Sequence, residues 1–109
     1  MAIKFGIQVY TVRDDMERDF EGTLEKLKAM GYNAVEFNAF YGRSATEIKQ
    51  ITDKLGIKII SGFSPLQKLD NELDEVIAFN KEIKSDFIVC PWADFESADD
   101  YRKLARRFN

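Results

Sequence analysis

Hydrophobic positions along this chain switch between two periods four times over. Ile3–Thr11, Ala34–Asn38, Ile57–Ser61 and Phe87–Pro91 are short runs rich in β-branched and aromatic residues, and they predict four strands. Each is followed by apolar residues spaced three and four apart, which line up on one face of a helix. The first helical stripe is Phe20, Leu24, Leu27 and Met30, and the second Ile48, Ile51 and Leu55. The third is Leu73, Val76, Ile77 and Ile83, and the fourth Tyr101, Leu104, Ala105 and Phe108. Start signals agree: Ser44 with Glu47 reads as a capping box, Ser97 with Asp100 as a weaker one, and Asp19 and Asp70 as caps. Gly31 and Gly56 stand where two helices must stop, in "KAMGYNAVEF" and "DKLGIKIISG". "EIKSDFIVCP" is the same device without the glycine. No linker or low-complexity segment interrupts the pattern, so residues 1–109 read as a single (βα)4 domain.

Strands alternating with helices imply parallel pairing through right-handed crossovers. If every crossover runs the same way, strand order is 1-2-3-4 and the chain is an arc of a (β/α)8 TIM barrel. If the direction reverses once, the result is a small doubly wound parallel sheet. The strand faces favour the arc. Ile3, Phe5, Ile7 and Val9 oppose Lys4, Gly6, Gln8 and Tyr10, while Val35 and Phe37 oppose Ala34, Glu36 and Asn38. One face is apolar; the other turns polar toward the carboxyl end, as a barrel interior does beneath a site at its mouth. Ile60 and Ile88 fit this less cleanly. Four strands in an arc leave two open edges, so the expected α/β half-barrel is completed by self-association into a dimer.

Composition narrows the functions. The chain is 45% hydrophobic and carries nine Phe, four Tyr and one Trp, enough for a core. A net charge of −3 offers no basic excess for phosphates, so nucleic acid is not an expected partner. No apolar run approaches the roughly 20 residues of a membrane span. Cys90 stands alone and reads as a core thiol, with a reducing, cytoplasmic setting expected. There is no histidine, which removes the commonest general base and metal ligand. Neither GxGxxG nor GxxxxGK[ST] occurs, so no nucleotide site is expected.

Glu36 is the candidate catalytic residue: a carboxylate within a strand is costly to bury unpaired, and at a barrel mouth it accepts bonds from a hydroxyl or orients another group. Its plain alternative is an ion pair with Lys4 or Arg13. Gln8 shares its face and offers donor and acceptor to a polyol, or a structural bond to a strand-end loop. Tyr10 and Trp92 are candidates for the apolar wall of a sugar site, against plain core packing. Arg13 is either a phosphate contact or a loop ion pair with Asp14, and Asn38 joins the substrate-binding set. Asp94 and Glu96 read as solvated caps, and no metal ligand is assigned.

"GIQVYTVRDD", Gly6 to Asp15, resembles the first strand of the sugar phosphate isomerase/epimerase group, the xylose isomerase-like TIM barrels. "LKAMGYNAVEF" is similar to that group's first helix end and second strand, "LGIKIISG" to its third strand, and "FNKEIKSDFIVCPW" to its third helix and fourth strand. The resemblance implies an eight-stranded barrel that moves protons next to a carbonyl, using carboxylates and a divalent metal. Two departures matter. Gly62-Phe63-Ser64 stands where the group commonly has a histidine, and the fourth helix is the last element. The group draws its metal ligands mostly from later strands. The expectation is therefore the amino-terminal half of such an enzyme, inactive alone and without a cofactor, with a small sugar as possible ligand and a metal implied only for a complete member. The alternative is a truncated or engineered half-barrel module that self-assembles without catalysing anything.

Overall fold

Four parallel strands lie side by side in chain order in the computed structural model, which describes residues 3–109. They are β1 (Gly6–Gln8), β2 (Ala34–Phe37), β3 (Lys58–Phe63) and β4 (Phe87–Val89). The order β1-β2-β3-β4 never reverses, so each right-handed crossover returns its helix to the same side. A doubly wound sheet needs a reversal. The chain is a barrel arc.

Helices α1 (Arg13–Arg18), α2 (Phe20–Ala29), α3 (Ala45–Leu55), α4 (Leu66–Asn71), α5 (Leu73–Glu82) and α6 (Ala98–Phe108) fill the crossovers. The four long ones carry the four apolar stripes except Met30 and Ile83, which fall just past the ends of α2 and α5, Met30 being exposed; α1 and α4 are short extra turns ahead of α2 and α5. Ser44, Ser97 and Asp19 cap their helices through bonds from the backbone amides of Glu47 (3.2 Å), Asp100 (3.3 Å) and Gly22 (3.0 Å). Glu47 turns to Arg43 at 3.4 Å instead of back to Ser44. Asp70 is no cap: it lies within α4, and Glu72 precedes α5 without a capping bond.

The first strand is shorter than its alternation predicts. β1 pairs only with β2, from Gly6↔Ala34 to Gln8↔Glu36, and Val9–Val12 then wind into a 3-10 turn. An edge strand has one neighbour to satisfy its backbone, and β2 itself ends at Phe37; beyond that, local bonds take over. The turn drives Val9 fully into the core.

That core lies between the sheet and α2, α3 and α5. Val9, Phe20, Leu24, Val35, Phe37, Ile48 and Ile59 are each at most 2% exposed, and Phe20 stacks on Phe37 with centroids 5.9 Å apart. Gly56, at φ 68°, ends α3, and Lys84, at φ 57°, fills the corresponding place after α5. Lys84 lacks glycine's freedom there, but its carbonyl is held by the Lys58 ammonium at 2.8 Å.

Packing thins toward the fourth unit. α6 buries no residue; it touches α4 through an Arg107–Asp70 ion pair, and Tyr101 rests edge-on against Phe95 at 5.2 Å. Cys90 is half-buried beside this loop, its thiol reaching the Trp92 carbonyl at 3.6 Å. It is not a core thiol, because no packed helix covers the end of β4. The result is an elongated body of 46 × 30 × 28 Å. No helix of the described residues is long and apolar enough to cross a membrane.

Candidate functional site

Gln8, Glu36 and Ser61 stand in one row across three strands, near their carboxyl ends. Register sets Gln8 opposite Glu36 and Glu36 opposite Ser61. The Gln8 amide Nε2–H donates to Glu36 Oε1 at 2.7 Å, and the Ser61 hydroxyl donates to Glu36 Oε2. Ser61 is buried, while Gln8 and Glu36 are half-buried.

A register slip brings Ser61 there. Between Val35↔Ile59 and Glu36↔Ser61 the third strand has one residue more than the second, so Ile60 is left over. Such a bulge breaks the two-residue alternation. Ile60 keeps the inner face, where its Cδ1 reaches toward Gly6 and Ala34 to form an apolar floor. Ser61 then follows on that same face instead of turning away. Gly62 resumes the helix side, so tightly that a Cβ there would stand 2.8 Å from both Asn80 Oδ1 and Phe40 Cζ.

The alternative ion pair of Glu36 with Lys4 or Arg13 does not form; its partners are the neutral groups Gln8 and Ser61. Arg13 sits instead over the Tyr10 ring, 4.2 Å from its centroid, with Nη1 donating to the Tyr10 carbonyl at 3.0 Å. It makes no bridge to Asp14 among the described residues. Tyr10 on the 3-10 turn and Arg13 at the start of α1 thus form one rim element, with Tyr10 half exposed rather than core.

Asn38 Oδ1 accepts from the Tyr41 hydroxyl at 3.2 Å. Tyr41 and Gly42, at φ 54° and 71°, are the central pair of a tight turn closed by the Arg43 amide on the Phe40 carbonyl at 3.0 Å. Burial pushes the Tyr41 phenol up from its ordinary pKa, opposed by the bond to Asn38. Asn38 also borders a cavity of about 510 Å³ between the loops that follow β2 and β3, with Phe40, Arg43, Ser64, Lys68 and Asn80 on its walls. Gln8 and Glu36 lie outside it.

Trp92 is 71% exposed on the loop after β4, at the opposite edge of the sheet from Tyr10. Three strand spacings of roughly 4.8 Å separate those edges, so within one chain the two rings do not share a wall.

The row suits hydroxyl recognition. Each Glu36 oxygen keeps a lone pair, Gln8 keeps its carbonyl and a second N–H, and Ser61 keeps its acceptors. A divalent metal does not fit it: one carboxylate, both of whose oxygens already accept bonds, is a poor set for an ion wanting several oxygen ligands. Among the described residues no group of three or more His, Cys, Asp or Glu is placed to hold an ion.

Comparison with known proteins gives a likeness in structure. A sugar phosphate isomerase/epimerase from Parabacteroides distasonis superposes with a TM-score of 0.77 over 95% of this chain, at 19% identity. The two share a fold. The chain spans 44% of that protein's length, in keeping with half of a barrel. No family model and no curated protein matches the sequence.

Ser61 is the residue that alternation missed. Alternation sets it with Ile59, on the helix side, and only the bulge reverses that. The hint in the sequence was Gly62, a residue without a side chain where β3 meets α5.

Proposed function

We propose that the chain is the amino-terminal half of a sugar phosphate isomerase/epimerase-like barrel, and that its polar row holds the hydroxyls of a small sugar at the mouth. The observation that carries this is the Gln8–Glu36–Ser61 row at the carboxyl ends of the strands, where barrel enzymes keep their chemistry. Glu36 is the residue that touches substrate and orients it, Gln8 fixes a neighbouring hydroxyl, and Tyr10 with Arg13 closes the rim. Asn38 joins them once a ligand draws it from Tyr41. Trp92 joins only when the opposite edge is brought round. Metal-binding residues would come from strands beyond β4, so residues 1–109 by themselves are expected to turn nothing over. A panel of free and phosphorylated sugars, titrated while the Gln8 side-chain amide is followed by NMR, tests this. The amide resonance shifts with a hydroxyl-rich ligand, and Glu36→Ala weakens binding at least tenfold; silence of that resonance across the panel rejects the reading.

A second reading is a self-completing module that closes into a two-fold dimeric barrel without catalysis. It is favoured by the placing of exposed apolar residues: Phe5 on the β1 edge, and Phe87, Ile88, Trp92, Tyr101 and Phe108 on the β4 side.

A further inference from the structure

Resting on the second of these readings, we propose that α6 is the clasp of the dimer: its apolar stripe covers the seam where β4 of one copy meets β1 of the other.

Two apolar surfaces in this chain lack a cover, and they belong to opposite edges of the sheet. On the β4 side, Ile88 stands opposite Gly62, the residue that faces α5, so Ile88 looks to the helix layer; it is 37% exposed. Tyr101 and Phe108 on α6 are more than half exposed, though their spacing with Leu104 draws one stripe. On the β1 side, alternation puts Phe5 on the same helix-facing side as Ile7, yet Phe5 is 59% exposed. Within a single copy these surfaces stand three strands apart and cannot meet.

Closing two arcs brings them together. A β4 edge pairing in parallel with the β1 edge of a second copy continues the order 1-2-3-4-1-2-3-4, with the same contact made twice about a two-fold axis. Each helix of such a barrel lies over the groove between the strand before it and the strand after it. For α6 those strands are its own β4 and the partner's β1. Its stripe then leaves the Arg107–Asp70 contact with α4 and rests on Ile88 below and on Phe5 of the partner subunit beside it.

Charge agrees with that neighbour. α6 carries Arg102, Lys103, Arg106 and Arg107 against Asp99 and Asp100, an excess of basic groups. In the closed ring it lies alongside the partner's α1 and α2. That segment, Arg13 to Ala29, carries Asp14, Asp15, Glu17, Asp19, Glu21 and Glu25 against four basic residues, an excess of acidic ones. Opposite signs meet and select this edge pairing over α6 against α6.

Sedimentation equilibrium on the full chain over a tenfold range of concentration, with Leu104→Glu and Phe5→Ser beside it, tests the clasp. None of these side chains belongs to the monomer's buried core, so both variants keep the parent's circular dichroism spectrum. The expected result is a dimer whose dissociation constant rises at least tenfold in each variant. In a Cys90→Ser background, Phe5→Cys mixed with Leu104→Cys then gives a disulfide between chains. A dimer that either variant leaves unchanged overturns the clasp while the closure reading stands. A monomer at every concentration overturns both. Sugar binding at the polar row is read separately and depends on neither.

Discussion

Glu36 sits between two neutral donors, so the consequences of changing it fall on Gln8 and Ser61. Glu36→Ala removes the acceptor of both and leaves a buried serine hydroxyl without its partner, an expected loss of about 1–3 kcal/mol in urea unfolding. Glu36→Gln keeps one acceptor and costs less. Gly62→Ala acts through space alone: its methyl would meet Asn80 and Phe40 at 2.8 Å, and overpacking of this kind costs about 1–3 kcal/mol. Shortening Phe40 to Leu in the same chain should recover part of that loss, which a double-mutant cycle measures. Gln8 and Glu36 were legible as partners because strict alternation held through β1 and β2. Ser61 was not, since a bulge depends on strand pairing that no single segment encodes.

Among the elements, the α2–α3 contact carries a pH signature. The Glu21 carboxylate, through its bond to the Lys54 ammonium at 3.0 Å and its charge, raises the Lys54 pKa above its ordinary 10.5. A raised folded pKa contributes stability that is present below 10.5 and lost as pH rises through the higher, folded value. Both groups are well exposed, so the contribution is small and screened by salt. The expected outcome is a modest gap in melting temperature between the native chain and Lys54→Met at pH 8 that closes in strong alkali. Tyr41 acts in the same direction, because burial disfavours its phenolate. The helices themselves could be read from their stripes and caps, Ser44 and Ser97 included. The short α1 and α4 could not, since six-residue turns carry too little periodicity to register.

At the scale of the whole molecule, the open edge and the inner face govern behaviour in solution. Phe5, Phe87 and Tyr101 are available to an apolar dye, and fluorescence of anilinonaphthalene sulfonate per chain should fall as concentration rises and arcs close on one another. With divalent metal added, the purified chain is expected to show no interconversion of aldose and ketose by NMR; turnover at the pace of an ordinary enzyme would contradict the half-barrel reading. The barrel architecture was legible from four repeats and a polar strand face, whereas the failure of α6 to pack was not. Its stripe in the sequence is as regular as that of α3. Only the structure reveals that α6 buries none of its residues and meets α4 through the Arg107–Asp70 ion pair.

The sheet's unreversed order also sets how the chain finds its shape. Gln8 meets Glu36 across 28 residues and Glu36 meets Ser61 across 25, so each strand's partner lies one crossover away. Loop closure grows only with the logarithm of length, and near-equal spans give near-equal entropic penalties at every step. Assembly can therefore spread outward from the β2–β3 pair, whose surroundings hold the densest packing, with no distant ends to join first. Hydrogen exchange should record that history as a gradient: slowest at Val35 and Ile59, faster at Ile7, and fastest along α6, the last piece to find anything to rest on.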